Sequence, residues 1–288
     1  MECIVCKGKS FKKLLFIHEV SRYTKKAYSL FKCQKCGLIR PNPLPYKDEN
    51  KNDIYDSADN IKFYNKETEK FDENSYEYKF YFNGFKAYPL IIDDYNISGK
   101  AIDIGCGAGH LMSLLTNKGI NVEGMEISPL LVKAINKKFK VYCCEIGSKK
   151  IKRKNYNLAT FNHVLEHVED PQKFLVEVNK ILINGGHLIF AVPYLHGLVP
   201  RILRTKWYGL GYGQHLNFFS KKSLEILLKN AGFKICEFRV LSVNYDHPKF
   251  PRVVNLFANF LSNLIVLIGF GDNLFTIAKK NREVGEQE

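Results

Sequence analysis

Seven short apolar runs punctuate the chain from residue 99 onward: AIDIG (101–105), VEGME (122–126), KVYCC (140–144), NLATFNH (157–163), HLIFAVP (187–193), FKICEFRVL (233–241) and NLFTIAK (273–279). Their length and their β-branched and aromatic content suit buried strands. Between them, apolar residues recur every three or four positions, as in HLMSLLTNKG (110–119), LLVKAINKK (130–138), QKFLVEVNKIL (172–182) and KKSLEILLKNAGF (221–233). That period predicts amphipathic helices. Ser128-Pro129, Asp170-Pro171 and Ser220 are start signals for three of them, and Gly185–Gly186 reads as the stop of the third. Strands alternating with helices predict an α/β fold, a doubly wound and mostly parallel sheet of seven strands.

The first forty residues follow a different pattern. Cys3 and Cys6 form one Cys-x-x-Cys pair, Cys33 and Cys36 a second, with LLFIHEV and AYSLFKC alternating between them like short strands. Four thiolates in two such knuckles are the tetrahedral sulfur set that zinc prefers. Residues 1–45 are therefore expected to form a zinc ribbon with a structural Zn2+ on Cys3, Cys6, Cys33 and Cys36. PNPLP (41–45) marks its exit. Residues 46–98 are rich in lysine, acid and aromatics at irregular spacing, and read as a helical cap or linker. Residues 99–288 form the main domain. Within it, 253–270 carries no charged residue. Its polar residues gather on one helical face, which suits a core helix, a homodimer contact or docking on a membrane surface better than a span.

Charge and cysteine count narrow the setting. The net charge is +14 and there are eight cysteines. The residues after Met1 do not read as a secretory signal, so a reducing, cytoplasmic location is expected, with contact to the inner membrane face open through 253–270. The positive charge suits a nucleic acid, an anionic membrane or an anionic small molecule such as a nucleotide-sugar. The lysines are scattered rather than set in a stripe, which is also how a solvated surface looks.

The chemistry concentrates after the first main strand. Asp103, Gly105, Cys106, Gly107 and Gly109 form a glycine-rich turn, and Glu126 ends the second strand. Glycines let a backbone approach a ligand, and a carboxylate at the second strand end accepts from two ribose hydroxyls. Dinucleotide sites use Gly-x-Gly-x-x-Gly and place a pyrophosphate on the turn. Here the glycines alternate and Asp103 stands just before them, where its charge would repel a pyrophosphate. It suits a cationic amino-acid end, such as the ammonium and sulfonium of S-adenosylmethionine.

On these residues the chain resembles the class I S-adenosylmethionine-dependent methyltransferases, over roughly 99–280. The resemblance implies a Rossmann-like methyltransferase fold with an antiparallel last strand. It implies that Asp103, Gly105 and Gly107 line the methionine end of the donor, with Cys106 and Gly109 in the same turn. Glu126 would hold the ribose, Ile127 would pack on the adenine and Glu145 would lie near the adenine amine. FNHVLEHVEDP (161–171) is a second point of resemblance. It puts Asn162 beside the donor and His163 within reach of the acceptor, with Glu166 and His167 holding loops. It lacks the Asp/Asn-Pro-Pro-aromatic sequence of nucleobase-amine methyltransferases, which argues against nucleic acid as partner.

The loop 194–217 carries His196, Arg201, Arg204, Lys206, Trp207, Tyr208 and His215. It is expected to bind the acceptor, with the basic groups on a diphosphate, aromatics stacked on a base and His215 as the general base. The ribbon, the PNPLP exit and GQHLNFFS (213–220) together resemble bacterial zinc-ribbon methyltransferases of surface polysaccharides and deoxysugars, including sugar-nucleotide C-methyltransferases. Those carry a further C-terminal domain, and this chain ends soon after its last strand. O-methylation of a sugar or glycan-linked acceptor is thus expected at least as much as C-methylation. Two rivals stay open: an RNA or protein methyltransferase that grips its polymer through the ribbon and the basic charge, and an inactive methyltransferase-fold scaffold.

Overall fold

The computed structural model describes residues 1–20, 27–44, 64–65, 70–71, 75, 84–241 and 271–284. Three strands, β1 (Phe11–Val20), β2 (Ala27–Cys33) and β3 (Ile39–Asn42), make a small antiparallel sheet in the order β1-β2-β3. In 46–98, read from sequence as helical, the described residues include an antiparallel pair, β4 (Tyr64–Asn65) with β5 (Lys70–Phe71), and one helix, α1 (Ala87–Asp94). The segment 253–270 lies outside the described residues.

The main domain alternates as its pattern predicts. β6 (Lys100–Ile104), α2 (His110–Asn117), β7 (Asn121–Glu126), α3 (Pro129–Ile135) and β8 (Val141–Cys143) come first. β9 (Tyr156–Asn162), α4 (Pro171–Ile181), β10 (Leu182–Pro193), α5 (Leu198–Leu203), α6 (Lys221–Asn230), β11 (Phe233–Leu241) and β12 (Asn273–Lys280) follow. The sheet has seven strands in the order β11-β12-β10-β9-β6-β7-β8. β6 through β10 are mutually parallel, and β12 runs antiparallel between β10 and β11. The fold is a Rossmann-like, doubly wound sheet. The chain starts at β6, winds outward to β8 and returns to β9 on the other side of β6. That reversal opens a crevice at the carboxyl ends of β6 and β9, where ligands of such sheets bind.

Local chemistry accounts for the helix starts. Ser128 Oγ accepts from Leu131 N, Asp170 Oδ1 from Lys173 N, and Ser220 Oγ from Ser223 N within a capping box. The expected stop at Gly185–Gly186 is corrected: α4 ends at Ile181, and both glycines lie inside β10. Gly185 takes φ +75°, and the pairing of β10 with β9 shifts register between Leu182 and His187. The glycines form a bulge in a strand that runs straight out of the helix.

Alternation along β6 sorts its side chains. Ile102 and Ile104 join a core with Leu175 and Val178 of α4 and Leu224 of α6. Ala101 faces the other core, with Leu111 and Leu115 of α2 and Tyr88 and Ile91 of α1. By the same two-residue period Asp103 points toward that second face. The ribbon is part of the first core, because Cys3, Cys33, Cys36 and Leu38 pack in it.

Candidate active site

The turn after β6 is built by glycine. Gly105, Gly107 and Gly109 have φ of +69°, +51° and +75°, and Gly109 opens α2 in the left-handed conformation. Gly105 N and Cys106 N donate to Met125 O at 2.7 and 3.1 Å, tying the turn to β7. A side chain at Gly105 would strike Val164 Cγ2 at 2.7 Å, and one at Gly109 would crowd the Phe139 ring at 3.2 Å. Among the described residues, a Cβ on Gly107 would meet no atom beyond its chain neighbours within 4 Å. That open space above a bare backbone is where a ligand can approach closely.

Glu126, the last residue of β7, closes the other side. It is buried, and its carboxylate accepts from Gly107 N at 2.9 Å, Ile127 N at 2.7 Å and Ser128 N at 3.0 Å. Glycine turn, Glu126 and Ile127 therefore form one hydrogen-bonded unit. Glu145 sits apart, exposed in the turn after β8, where its carbonyl accepts from Ser148 N. Cys106 is buried, with burial and the neighbouring Asp103 and Glu126 charges raising its thiol pKa well above the usual value.

Asp103 is buried in β6 and its Oδ1 accepts from Thr160 Oγ1 at 2.8 Å. Burial pushes its carboxyl up to about 7; the Thr160 hydrogen bond opposes the rise and the Glu126 charge adds to it. Among the described residues no cation lies beside Asp103, and a buried acid so placed is suited to receive one. Thr160 has no signature in the sequence. It faces Asp103 only because β9 pairs with β6 in the register Asp103↔Thr160. Tyr88 of α1 is likewise unannounced: its hydroxyl donates to Phe161 O and Asn162 Oδ1, both at 3.2 Å, and so fixes the end of β9.

Past β9, His163 takes a left-handed φ of +54° and is partly exposed. Its Nδ1 lies 3.1 Å from Glu166 Oε1, and Glu166 is fully buried. His167 Nδ1 lies 3.1 Å from Gln214 O. His215 packs edge-on against His167, 4.8 Å between ring centroids, with Nδ1 2.8 Å from Gly209 O. Burial lowers the His215 pKa to about 3, with the His167 charge in the same direction.

The loop 194–217 also departs from expectation at Trp207. Its indole is fully buried in a cluster with Leu30, Ile39, Leu210 and Phe218, so it joins loop to ribbon and stacks on no ligand. Arg201, Arg204 and Lys206 are exposed, as a basic rim requires. Ile39 and Phe218 exchange two backbone hydrogen bonds of 2.9 Å, and Arg40 Nε donates to Leu216 O at 3.3 Å.

The four ribbon thiols converge. Their sulfurs lie within 4.8 Å of one another, with Cys3–Cys36 and Cys6–Cys33 each at 3.5 Å. The knuckles repeat one geometry. Cys3 N donates to Gly8 O and Lys7 N to Cys3 O; Cys33 N donates to Leu38 O and Gly37 N to Cys33 O. Lys7 and Gly37 both have positive φ. Although burial raises its pKa, the backbone N–H groups of Cys36 and Lys35 bring the Cys33 thiol down to about 7. Sulfurs so spaced suit a zinc ion, which sits about 2.3 Å from each ligand in a tetrahedron.

Comparison with known proteins follows the same lines. A family model described as methyltransferase domain matches residues 60–237. An uncharacterized protein of Methanocaldococcus jannaschii is 27% identical over 166 residues, 57% of this chain and 75% of the relative. A ubiquinone biosynthesis O-methyltransferase of Coxiella burnetii is 30% identical over 168 residues, 53% of this chain and 70% of the relative. Among solved structures, a SAM-dependent methyltransferase of Thermotoga maritima aligns with TM-score 0.52 and 20% identity, covering 72% of this chain and 95% of the other. One from Archaeoglobus fulgidus aligns with TM-score 0.50 and 20% identity, covering 68% and 94%.

Proposed function

Because the chain belongs to the methyltransferase-domain family, as a class I S-adenosylmethionine-dependent enzyme, we propose that it methylates a small anionic acceptor, a sugar hydroxyl on a nucleotide-sugar or glycan. The observation that carries the donor half is the unit of open Gly107, Glu126 and buried Asp103 at the crevice. Glu126 and Ile127 would hold the nucleoside, and Asp103 with Gly105 and Gly107 the cationic methionine end. The bound donor supplies a methyl group already activated by its sulfonium, so the chain has mainly to align the acceptor in line and exclude water.

The acceptor half rests on the partly exposed His163 and on the exposed Arg201, Arg204 and Lys206, which suit a diphosphate. Oxygen as the methylated atom is favoured by relatives whose names specify O-methylation. The four thiols would bind a structural zinc ion that fixes the ribbon and, through Ile39–Phe218, the loop. No helix among the described residues is long and apolar enough to cross a membrane.

The decisive experiment is a labelled-methyl transfer screen over nucleotide-sugars, lipid-linked glycans and RNA, with donor binding measured by calorimetry. Transfer to a sugar hydroxyl is expected. Transfer to RNA alone, or none to any sugar from a chain that binds the donor, refutes the acceptor assignment.

A further inference from the structure

Below His163 lies a group of side chains that the donor site does not use. The short turn Leu165–His167 places Glu166 and His167 at the carboxyl end of β9. The Glu166 carbonyl accepts from Leu216 N at 2.8 Å and Asn217 N at 3.1 Å, which brings His215 over them. One ligand atom from each of Glu166, His167 and His215 lies within 4.8 Å of the others.

Two features separate this group from ordinary packing. Glu166 is 0% exposed, and while Oε1 meets His163, Oε2 has no hydrogen-bond partner among the described residues. An unmatched carboxylate oxygen at that depth calls for a positive charge. The imidazoles are also set for one. A carbonyl only accepts, so His167 Nδ1 facing Gln214 O and His215 Nδ1 facing Gly209 O carry the ring protons. Each Nε2 then holds a lone pair, the state in which histidine binds metals, and a backbone carbonyl on the other nitrogen is the usual support. The loop makes room for this: a Cβ on Gly211, at φ +64°, would fall 2.5 Å from His215 Cδ2.

We propose that Glu166, His167 and His215 form a second cation site, for a borderline divalent metal such as manganese, cobalt or zinc, beside the acceptor. Two imidazoles and one carboxylate favour these over magnesium or calcium. Three protein ligands leave coordination positions open. The role of the site, though not its existence, rests on the methyl-transfer reading. A cation there draws electron density from an acceptor hydroxyl, so its proton leaves more readily, to His163 and then water. The oxygen forms its bond to the methyl carbon as the carbon–sulfur bond breaks, and the sulfonium departs as a neutral thioether.

The test uses the full chain with its thiol-bound metal retained and Mn2+ as the probe, which thiolates bind poorly. Free Mn2+ is followed by electron paramagnetic resonance, and donor binding by calorimetry in parallel. One Mn2+ site per chain is expected, weakened at least about tenfold in Glu166→Gln and in His215→Gln. Gly211→Ala keeps all three ligands, displaces the His215 ring and should weaken Mn2+ as well. Circular dichroism and donor affinity report whether each variant is folded. No Mn2+ binding by the wild type overturns the proposal, as it would if Glu166 served only as counter-charge to a protonated His163. Equal binding by folded variants overturns it too. Donor binding without Mn2+ binding removes the cation site and leaves methyl transfer standing; Mn2+ binding without donor binding does the reverse.

Discussion

Asp103→Asn should make the donor-free protein more stable at pH 8 and its donor binding worse. Burial holds the Asp103 carboxyl at about 7 against an ordinary 3.8. Keeping it ionised in the fold at pH 8 therefore costs about 4 kcal/mol, at about 1.4 kcal/mol per pH unit. For an acid raised on folding, the stabilising contribution is complete below the unfolded value and is lost as pH rises through about 7. Asparagine keeps the shape and a Thr160 partner without the charge, so it relieves up to that amount. The donor binds the ionised form. Its affinity in the wild type should rise about tenfold per pH unit toward pH 7 and level off above it. Calorimetry at pH 6 in buffers of different ionisation heat should show a proton released on binding. Asp103→Asn should bind weakly and show neither effect. Thr160→Val removes the 2.8 Å bond that favours the charge, and should move the midpoint upward. Wild-type affinity constant from pH 6 to 8, or an asparagine variant that melts below wild type at pH 8, would refute the reasoning.

Gly107→Val puts a side chain into space where, among the described residues, a Cβ would meet nothing beyond its chain neighbours within 4 Å, at a φ of +51°. The strain should cost about 1–2 kcal/mol in thermal unfolding, while donor affinity falls by far more than that; unchanged affinity would mean the space is not used. Lys280→Met should lose about 2–4 kcal/mol in urea unfolding, because the buried ammonium donates to Asn179 O and Leu182 O, both at 2.9 Å. A loss under about 1 kcal/mol would show those carbonyls satisfied in another way. Trp207 is the one tryptophan of the chain and is buried against the ribbon. If the four thiols hold zinc as proposed, removing it with a mercurial and chelator should shift the Trp207 fluorescence to the red, and an unshifted spectrum would separate ribbon from loop.

The strands, the three helix caps and the glycine turn were legible because each is local: its signal lies within a dozen residues of what it specifies. The two Cys-x-x-Cys pairs were legible for a different reason, since four thiols set to converge repeat a short spacing at both ends. What escaped was set by distant partners. Gly185–Gly186 reads as a helix stop, yet β9 pairs on both sides of it, at Leu182 and again from His187, and a Cβ on Gly186 would sit 3.0 Å from Ile183 O and 3.3 Å from Asn157 O. Trp207 has the look of a ligand-stacking residue, and becomes core because Leu30 and Ile39 come to it from the ribbon.

Two supports hold the two halves of the crevice. The donor half hangs on the short connection between β6 and β7, where Met125 O, Gly107 N and Glu126 lock the turn within one stretch of chain. The loop 194–217 is held from both the ribbon and the domain itself. Ser220 Oγ donates to Cys36 O at 2.5 Å, Phe218 pairs with Ile39, and Leu216 and Asn217 hang from Glu166. A ribbon of that size has too little core to hold its own shape without its thiol ligand set. The loop that would meet the acceptor is thus only as well placed as the metal knuckles that carry Cys36 and Ile39. On the proposed reading, that is a physical reason for an N-terminal ribbon on this domain: a change in it would shift the loop that meets the acceptor while the donor turn stays as it is.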